Sequence, residues 1–235
     1  NCLKGLLPLQ VNQNSICQYL RFGAFNGENT PYHNVKELLP GSYMTVDVNT
    51  LAINEKRWWS IDGYYEQKSS HGLEEALSNV DGYLHRAVKR RVESSDLEVG
   101  SFLSGGIDSG LVTAIASEYN SSLKTFTVSF HGSYDEAPLA KLVAKKYNTK
   151  HTEISIGFDN LLNDIETILG NYGEPFCDDS AIPSYYVSKE AKKYLTVILN
   201  GDGSDEVFGG YRRYVPFSKF DFFNTSGFTR GAASF

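Results

Sequence analysis

Residues 99–110 read VGSFLSGGIDSG, and this stretch decides the fold. The apolar run 99–103 predicts a short buried strand, and the pattern over 108–119 predicts a helix. The residues between them, 104–107, begin with Ser-Gly-Gly and predict a tight turn. A strand that passes through a glycine-rich turn directly into a helix is typical of α/β proteins with a parallel sheet.

The alternation of strands and helices continues after this stretch. Apolar runs predict strands at 125–130, 152–156 and 195–199, and helical patterns lie at 137–147, 161–169 and 180–193. The order from residue 99 onward is therefore β-α-β-α-β-α-α-β. Residues 196–199, TVIL, are almost wholly apolar, which is typical of strands buried on both faces of a parallel sheet. We therefore predict an α/β fold with helices on both faces of a parallel sheet of five or a similar number of strands.

The residues before this region have a different character. Turn-forming residues interrupt short apolar runs up to about residue 61, and 41–48 can pair with 51–58 as a β-hairpin. From 72 to 92, apolar residues recur every three or four positions, which predicts one long amphipathic helix. The part before that helix therefore looks like a small β-rich remnant of another domain.

Three segments follow from these patterns. Polar and charged residues at 66–71, EQKSSH, interrupt the apolar pattern and mark a domain boundary. We predict that 1–65 form the β-rich remnant and its linker, and that 66–219 form the α/β domain. Residues 220–235 are rich in Phe, Gly and Ser, and we assign this C-terminal tail to neither domain.

The composition limits the class of protein. The chain has 22 Lys and Arg against 28 Asp and Glu, so its formal net charge is −6 and nucleic acid is not an expected partner. No apolar run approaches the roughly 20 residues that a helix needs to cross a bilayer, so we expect no membrane partner. Cys2, Cys17 and Cys177 form no CxxC pair, which argues against a disulfide framework or a cysteine zinc site. We expect a cytoplasmic protein.

The turn after the first strand of the sheet has the chemistry of a phosphate-binding loop. Gly105 and Gly106 let a ligand approach the backbone, while Ser104, Asp108 and Ser109 offer hydroxyl groups and a cap. Exposed N–H groups and the positive end of the helix dipole would then hold a phosphate. The alternative is a turn that is merely tight. The loop matches neither a Walker A motif nor the GxGxxG dinucleotide fingerprint.

A second acidic stretch follows the last predicted strand and reads NGDGSDEVFGGY over 200–211. Asp202 and Asp205 lie beside glycines at the carboxyl end of that strand, where ligands of parallel sheets bind. Mg²⁺ takes one or two carboxylates together with phosphate oxygens. If the two strands are neighbours, Asp108 and Asp205 can share a metal ion. A capped turn without a metal is the alternative.

Five segments together resemble the asparagine synthetase family, in their order and spacing. They are SFLSGGIDSG (101–110), TFTVSF (125–130), DEAPLAKLVAKKYNTKHTEI (135–154), EPFCDDSAIPSYYVSKEAKK (174–193) and NGDGSDEVFGGYRRY (200–214). The resemblance covers about 73–214. Upstream, 15–47 and the RWWSI at 57–61 are similar to the end of that family's glutaminase domain and its linker. The first segment resembles the PP-loop of the N-type ATP pyrophosphatases, whose fold is adenine nucleotide alpha hydrolase-like.

The resemblance implies a role for each site residue. Leu103 and Val128 would flank the adenine, and Gly201 would lie near the ribose. The pyrophosphate would be held by the loop residues Ser104, Gly105, Gly106, Ile107, Asp108 and Ser109. Mg²⁺ would be bound by Asp108 and Asp205. Asp202 would lie near the acyl substrate, and Glu206 would help to bind that substrate.

The reaction that the resemblance implies joins aspartate and ATP as β-aspartyl-AMP and releases pyrophosphate. Ammonia, free or derived from glutamine, then attacks the acyl carbon to give asparagine and AMP. Two alternatives stay open: a relative that amidates another acid, such as a sugar acid or a peptide, and a truncated ATP-binding module without turnover. A homodimer is also left open.

Three departures from the family pattern affect these expectations. The family's glutaminase cysteine is the first residue of the mature chain and precedes a glycine, whereas Cys2 follows Asn1 and precedes Leu3. We therefore expect no glutamine hydrolysis. The helical portion that brings a lysine to the pyrophosphate in the family has no counterpart after Tyr214. We therefore expect this chain to be a fragment of a longer protein.

Overall fold

The computed structural model describes residues 5–67, 70–130, 136–157, 161–172, 175, 177–178 and 180–215. In chain order, the helices and strands are α1 (Gln13–Phe22), β1 (Ser42–Val46), β2 (Ile53–Arg57), α2 (Asp62–Glu66), α3 (Leu73–Glu93), β3 (Val99–Phe102), α4 (Ile107–Tyr119), β4 (Lys124–Phe130), α5 (Ala137–Lys146), β5 (Lys150–Ile156), α6 (Leu161–Tyr172), α7 (Ala181–Ala191), β6 (Val197–Leu199) and α8 (Ser204–Phe208). The order from β3 to β6 is the predicted β-α-β-α-β-α-α-β.

Contacts within the chain divide it into two units. One consists of 1–79 and 157–189, and the other consists of 80–156 and 190–235. The predicted domain limits at 65 and 219 stay predictions, and the tail 220–235 lies outside the described residues. Within the part of the chain that the structure describes, no helix is both long and apolar enough to cross a membrane.

The second unit contains a parallel sheet with the strand order β5-β4-β3-β6. β3 pairs in parallel with β4 on one side and with β6 on the other. The predicted α/β class with a parallel sheet is therefore confirmed, and the described residues supply four strands. Because β3 and β6 are neighbours, the loops that leave their carboxyl ends lie at the same edge of the sheet.

One face of the sheet packs against helices. Leu103 packs with Ala140 and Ala144 of α5 in a buried cluster. A second buried cluster joins α3 and α4 and is formed by Val88, Ile115, Ala116 and Leu123. Between the sheet and α4, the buried hydroxyls of Ser101 and Thr113 form a hydrogen bond of 2.9 Å, so neither polar group is left unsatisfied.

The opposite face is covered by the chain that follows α7. The ring of Phe126 lies 5.6 Å from the ring of Tyr194, and Leu195 is buried. A Cβ added to Gly100 would come 2.5 Å from Cδ1 of Leu195 and 2.9 Å from the carbonyl oxygen of Lys124. The absence of a side chain at Gly100 is therefore what lets this segment approach β3.

We expect Gly100→Ala to lower the free energy of unfolding by about 1–3 kcal/mol, because the added methyl overpacks the core. Chemical denaturation of the full chain measures this change. Gly82→Ala is the matched control, since a Cβ at Gly82 in α3 meets nothing within 4 Å. We expect that control to raise the free energy of unfolding by about 0.5–1 kcal/mol. If Gly100→Ala and wild type had the same free energy of unfolding, the close packing at Gly100 would be contradicted.

The first unit contains the predicted hairpin and a helix that the sequence pattern did not reveal. β1 and β2 pair antiparallel, with Ser42 opposite Arg57. The turn signals at Asn12 and Gly23 belong to the two ends of α1: the Asn12 side chain accepts from the N–H groups of Asn14 and Ser15, and Gly23 has φ 75°. The sequence analysis interpreted these residues as turn signals and did not predict α1, because caps and turns use the same residue types.

Candidate active site

The loop after β3 begins at a fixed position. The Leu103 N–H donates to the carbonyl oxygen of Phe126 at 2.8 Å, and the Thr127 hydroxyl donates to the Leu103 carbonyl. The Leu103 side chain is 1% exposed. The backbone N–H and carbonyl of Leu103 are therefore both hydrogen-bonded to β4, and these bonds hold the backbone where the chain leaves the sheet toward Ser104.

The two serines of the loop close it by hydrogen bonds. The hydroxyls of Ser104 and Ser109 lie 2.7 Å apart, and the Ser109 Oγ also accepts from the Ser104 N–H at 3.0 Å. The Ser104 Oγ accepts from the Gly106 N–H at 3.1 Å. Helix geometry leaves the N–H groups of the first turn of α4 without carbonyl partners in the helix. The loop thus holds a defined shape at a helix N-terminus, as a phosphate-binding loop requires.

Glu136 is a residue of this site that the sequence analysis missed. Its carboxylate oxygen Oε2 accepts from the Gly105 N–H at 3.1 Å. A Cβ added to Gly105 would lie 3.1 Å from both the Glu136 Cβ and the Leu139 Cβ, so the loop sits directly against the start of α5. The only signal in the sequence is an acidic residue just before a helix, and such a residue is usually part of the helix end.

The second loop, after β6, contacts the first. A Cβ added to Gly201 would lie 3.0 Å from the Ser109 nitrogen and 3.1 Å from the Asp108 Cβ. Such distances are tighter than nine in ten real Cβ contacts, so the glycine permits this approach. The pairing of β3 with β6 makes the two strand ends neighbours, which is the condition under which Asp108 and Asp205 are predicted to share a metal ion.

The acidic residues of the second loop have different surroundings. Asp202 is exposed, and its Oδ2 accepts from the Asn200 side-chain amide at 2.7 Å. Gly203 has φ 91°, the left-handed region that favours glycine, and α8 begins directly after it. Asp205 is half-buried in the first turn of α8, and its carboxylate lies where a Cβ of Gly210 would be.

Glu206 belongs to a small cluster with two residues that follow α8. The Tyr211 hydroxyl donates a hydrogen bond to the Glu206 carboxylate, and the Arg213 guanidinium lies 4.1 Å from the centre of the Tyr211 ring. The hydrogen bond from Tyr211 lowers the pKa of Glu206 below its ordinary value, with a smaller contribution from the positive charge of Arg213. Glu206 is therefore held as a carboxylate.

We expect Tyr211→Phe to raise the pKa of Glu206 toward its ordinary value, because the variant removes the hydroxyl donor. Since folding lowers this pKa, the stabilisation is present above the unfolded-state pKa and is lost as the pH falls through the folded-state pKa. An NMR titration of the Glu206 carboxyl carbon measures the change. Tyr214→Phe is the control, because its ring contacts Tyr211 at 5.6 Å while Tyr211 still donates to Glu206. If the Glu206 carboxyl titrated with the same pKa in wild type and in Tyr211→Phe, this prediction would be contradicted.

The hydrophobic side chains proposed to lie near ATP have the following places. Leu103 is buried against α5, whereas Val128 is half-buried in β4 and Ile107 is 86% exposed at the start of α4. Among the described residues, no group of three or more His, Cys, Asp or Glu side chains could hold a metal ion. The roles of these residues stay predictions.

Comparison with known proteins gives the family. The family model described as asparagine synthase matches residues 79–227. A putative glutamine-hydrolyzing asparagine synthetase 2 of Methanocaldococcus jannaschii is 33% identical over 232 residues, covering 94% of this chain and 44% of its own length. Asparagine synthetase 1 of Bacillus subtilis, also glutamine-hydrolyzing, is 33% identical over 207 residues, covering 88% of this chain and 32% of its own length.

Among solved structures, the chain is similar to an NH3-dependent NAD synthetase from Campylobacter jejuni. That likeness has a TM-score of 0.40 and 16% sequence identity, and covers 57% of this chain and 60% of the other. The family assignment rests on the sequence matches, and the chain spans less than half the length of the two asparagine synthetases above. With the family model matching more than half of its residues, the chain belongs to the asparagine synthase family.

Proposed function

We propose that this chain carries the ATP-dependent amide-forming part of an asparagine synthetase. It would adenylate the side-chain carboxylate of aspartate, and ammonia would then displace AMP to give asparagine. The observation that supports this proposal most is the contact between the loop after β3 and the loop after β6, where Gly201 lies against Asp108 and Ser109. A phosphate loop and an acidic loop then face one substrate at the carboxyl edge of the sheet.

The loop after β3 would hold the pyrophosphate part of ATP. Its residues Ser104, Gly105, Gly106, Ile107, Asp108 and Ser109 lie at the N-terminus of α4. Backbone N–H groups and the helix dipole favour an anion at such a position. The Gly105 N–H already accommodates the Glu136 carboxylate, which supports an affinity of the loop for negatively charged oxygens.

Asp108 and Asp205 would hold Mg²⁺. Their carboxylates are hard oxygen ligands on the first turns of α4 and α8, and Mg²⁺ needs only one or two of them when phosphate oxygens complete its shell. When bound, Mg²⁺ would offset the charge that develops on the leaving pyrophosphate.

The remaining residues would orient the two substrates. A carboxylate is a poor acyl donor, so the aspartate side chain must attack the α-phosphorus as the bond to the pyrophosphate breaks. Asp202 would lie on the acyl side, where its exposed carboxylate can attract the ammonium group of an amino acid. Glu206 would help to bind that substrate, while Leu103 and Val128 would flank the adenine and Gly201 the ribose. Orientation and charge stabilisation would supply most of the rate.

The proposed partners are ATP, aspartate and ammonia, which would be free or derived from glutamine. Cys2, which does not match the glutaminase cysteine of the family, lies outside the described residues. We propose the cytoplasm as the compartment, since the chain has three cysteines and no CxxC pair.

The test is the release of pyrophosphate from MgATP by the purified chain, with ammonium present and with aspartate either added or omitted. We expect release that depends on aspartate, together with asparagine and AMP by mass spectrometry. Glutamate, which is one methylene longer, is the matched control acid. Release at the same rate without aspartate, or no release with any acid, would contradict the proposal. Release with a sugar acid or a peptide instead would identify a relative that amidates another acid.

A further inference from the structure

We propose that Glu136 is a resident anion of the phosphate loop, and that pyrophosphate must displace its carboxylate from the Gly105 N–H in order to bind. This inference rests on the proposed function, because it takes the loop 104–109 as the pyrophosphate site. Under this proposal, Glu136 lowers the affinity of the loop for pyrophosphate.

The geometry supports a direct competition for one donor. The Gly105 N–H donates to the Glu136 Oε2 at 3.1 Å, and the neighbouring N–H groups of Ser104 and Gly106 already donate to serine hydroxyls of the same loop. Serine hydroxyls can also donate to a phosphate, but a carboxylate can only accept. The Glu136 carboxylate and a phosphate therefore cannot both accept from the Gly105 N–H, whereas the serine hydroxyls could remain in place and donate to the phosphate.

Close packing shows which part would move. A Cβ added to Gly105 would lie 3.1 Å from the Glu136 Cβ and 3.1 Å from the Leu139 Cβ, so the loop backbone already packs closely against the start of α5. The backbone of Glu136 is fixed as well, because its carbonyl accepts from the N–H groups of Leu139 and Ala140 at 3.1 Å. The movement that remains is rotation of the Glu136 side chain away from Gly105.

The side chain is free to make that rotation. Glu136 is exposed, and its carboxylate makes no capping hydrogen bond to α5. Among the described residues, the Gly105 N–H is the hydrogen-bond partner of this carboxylate, so rotation would cost that hydrogen bond while water solvates the carboxylate instead. After the reaction, return of the carboxylate to Gly105 would place a negative charge against the pyrophosphate product and favour its release.

The test measures the affinity of the full chain for inorganic pyrophosphate with Mg²⁺ by calorimetry. The variants are Glu136→Gln, which keeps an acceptor but removes the charge, and Glu136→Ala, which removes both. We expect both variants to bind pyrophosphate about three- to tenfold more tightly, as expected for one exposed charge in a charge-assisted hydrogen bond. The gain should shrink at high salt, because salt screens exposed charges.

Glu93→Gln is the matched control, since it removes the same charge from an exposed residue in the last turn of α3. We expect its affinity to match wild type. If Glu136→Ala bound pyrophosphate more weakly and Glu136→Gln bound it like wild type, Glu136 would only position the loop, and the competition would be refuted. If neither wild type nor any variant bound pyrophosphate, the proposed function would fail together with the inference.

Discussion

Replacing Asp108 or Asp205 by asparagine is expected to slow Mg²⁺-dependent release of pyrophosphate at least about 100-fold, because the variant would weaken the hold on the metal ion that stabilises the transition-state charge. Asparagine keeps the size of the side chain but removes the negative charge that would attract the metal ion. The rate of pyrophosphate release, measured over a range of Mg²⁺ concentrations, tests this prediction. We expect the residual rate to rise with Mg²⁺, since a weaker site needs more metal to fill.

Asp96→Asn is the matched control for both variants. Asp96 is exposed and lies before the amino end of β3, at the edge of the sheet opposite the two loops, so the same change of charge should leave the rate unaltered. Thermal unfolding should accompany the assay, because a carboxylate in the first turn of a helix also stabilises the fold by about 0.3–1 kcal/mol. Wild-type rates in both variants at limiting Mg²⁺ would refute the metal assignment.

Replacing Asp202 by asparagine is expected to leave ATP affinity unchanged and to reduce aspartate-dependent release of pyrophosphate by about 100-fold. The physical reason is that Asp202 is exposed on the second loop and hydrogen-bonded to Asn200, whereas the residues proposed to hold the pyrophosphate of ATP lie in the first loop. Calorimetry with MgATP and the aspartate-dependent assay together separate the two effects. Asp202→Glu, which restores the charge, should recover part of the lost rate.

Equal loss of ATP binding and of aspartate dependence in Asp202→Asn would overturn this division of roles. The Asp96→Asn variant again serves as the control for loss of one negative charge. If Asn200→Ala reproduced the Asp202→Asn phenotype, the hydrogen bond of 2.7 Å between the two side chains would be needed to orient the carboxylate.

Local patterns predicted most of the helices and strands of the second unit. The strand, turn and helix of 99–119 follow from apolar spacing and two glycines, and the structure begins α4 at Ile107 and ends it at Tyr119. The hairpin was predicted for the same reason, since alternation over a few residues is a local property. The pattern failed at α1, because Asn12 and Gly23 serve equally well in a turn or at the ends of a helix.

The sequence by itself determined the class of fold and the two loops that carry the chemistry. Both depend on neighbours within a few positions, such as the glycines at 105 and 106 after an apolar run. Only the tertiary structure decided the strand order, which brings Gly201 against Asp108 although more than 90 residues separate them. It also decided that Glu136 holds the Gly105 N–H, because a hydrogen bond between a loop and a distant helix end leaves no periodicity in the chain.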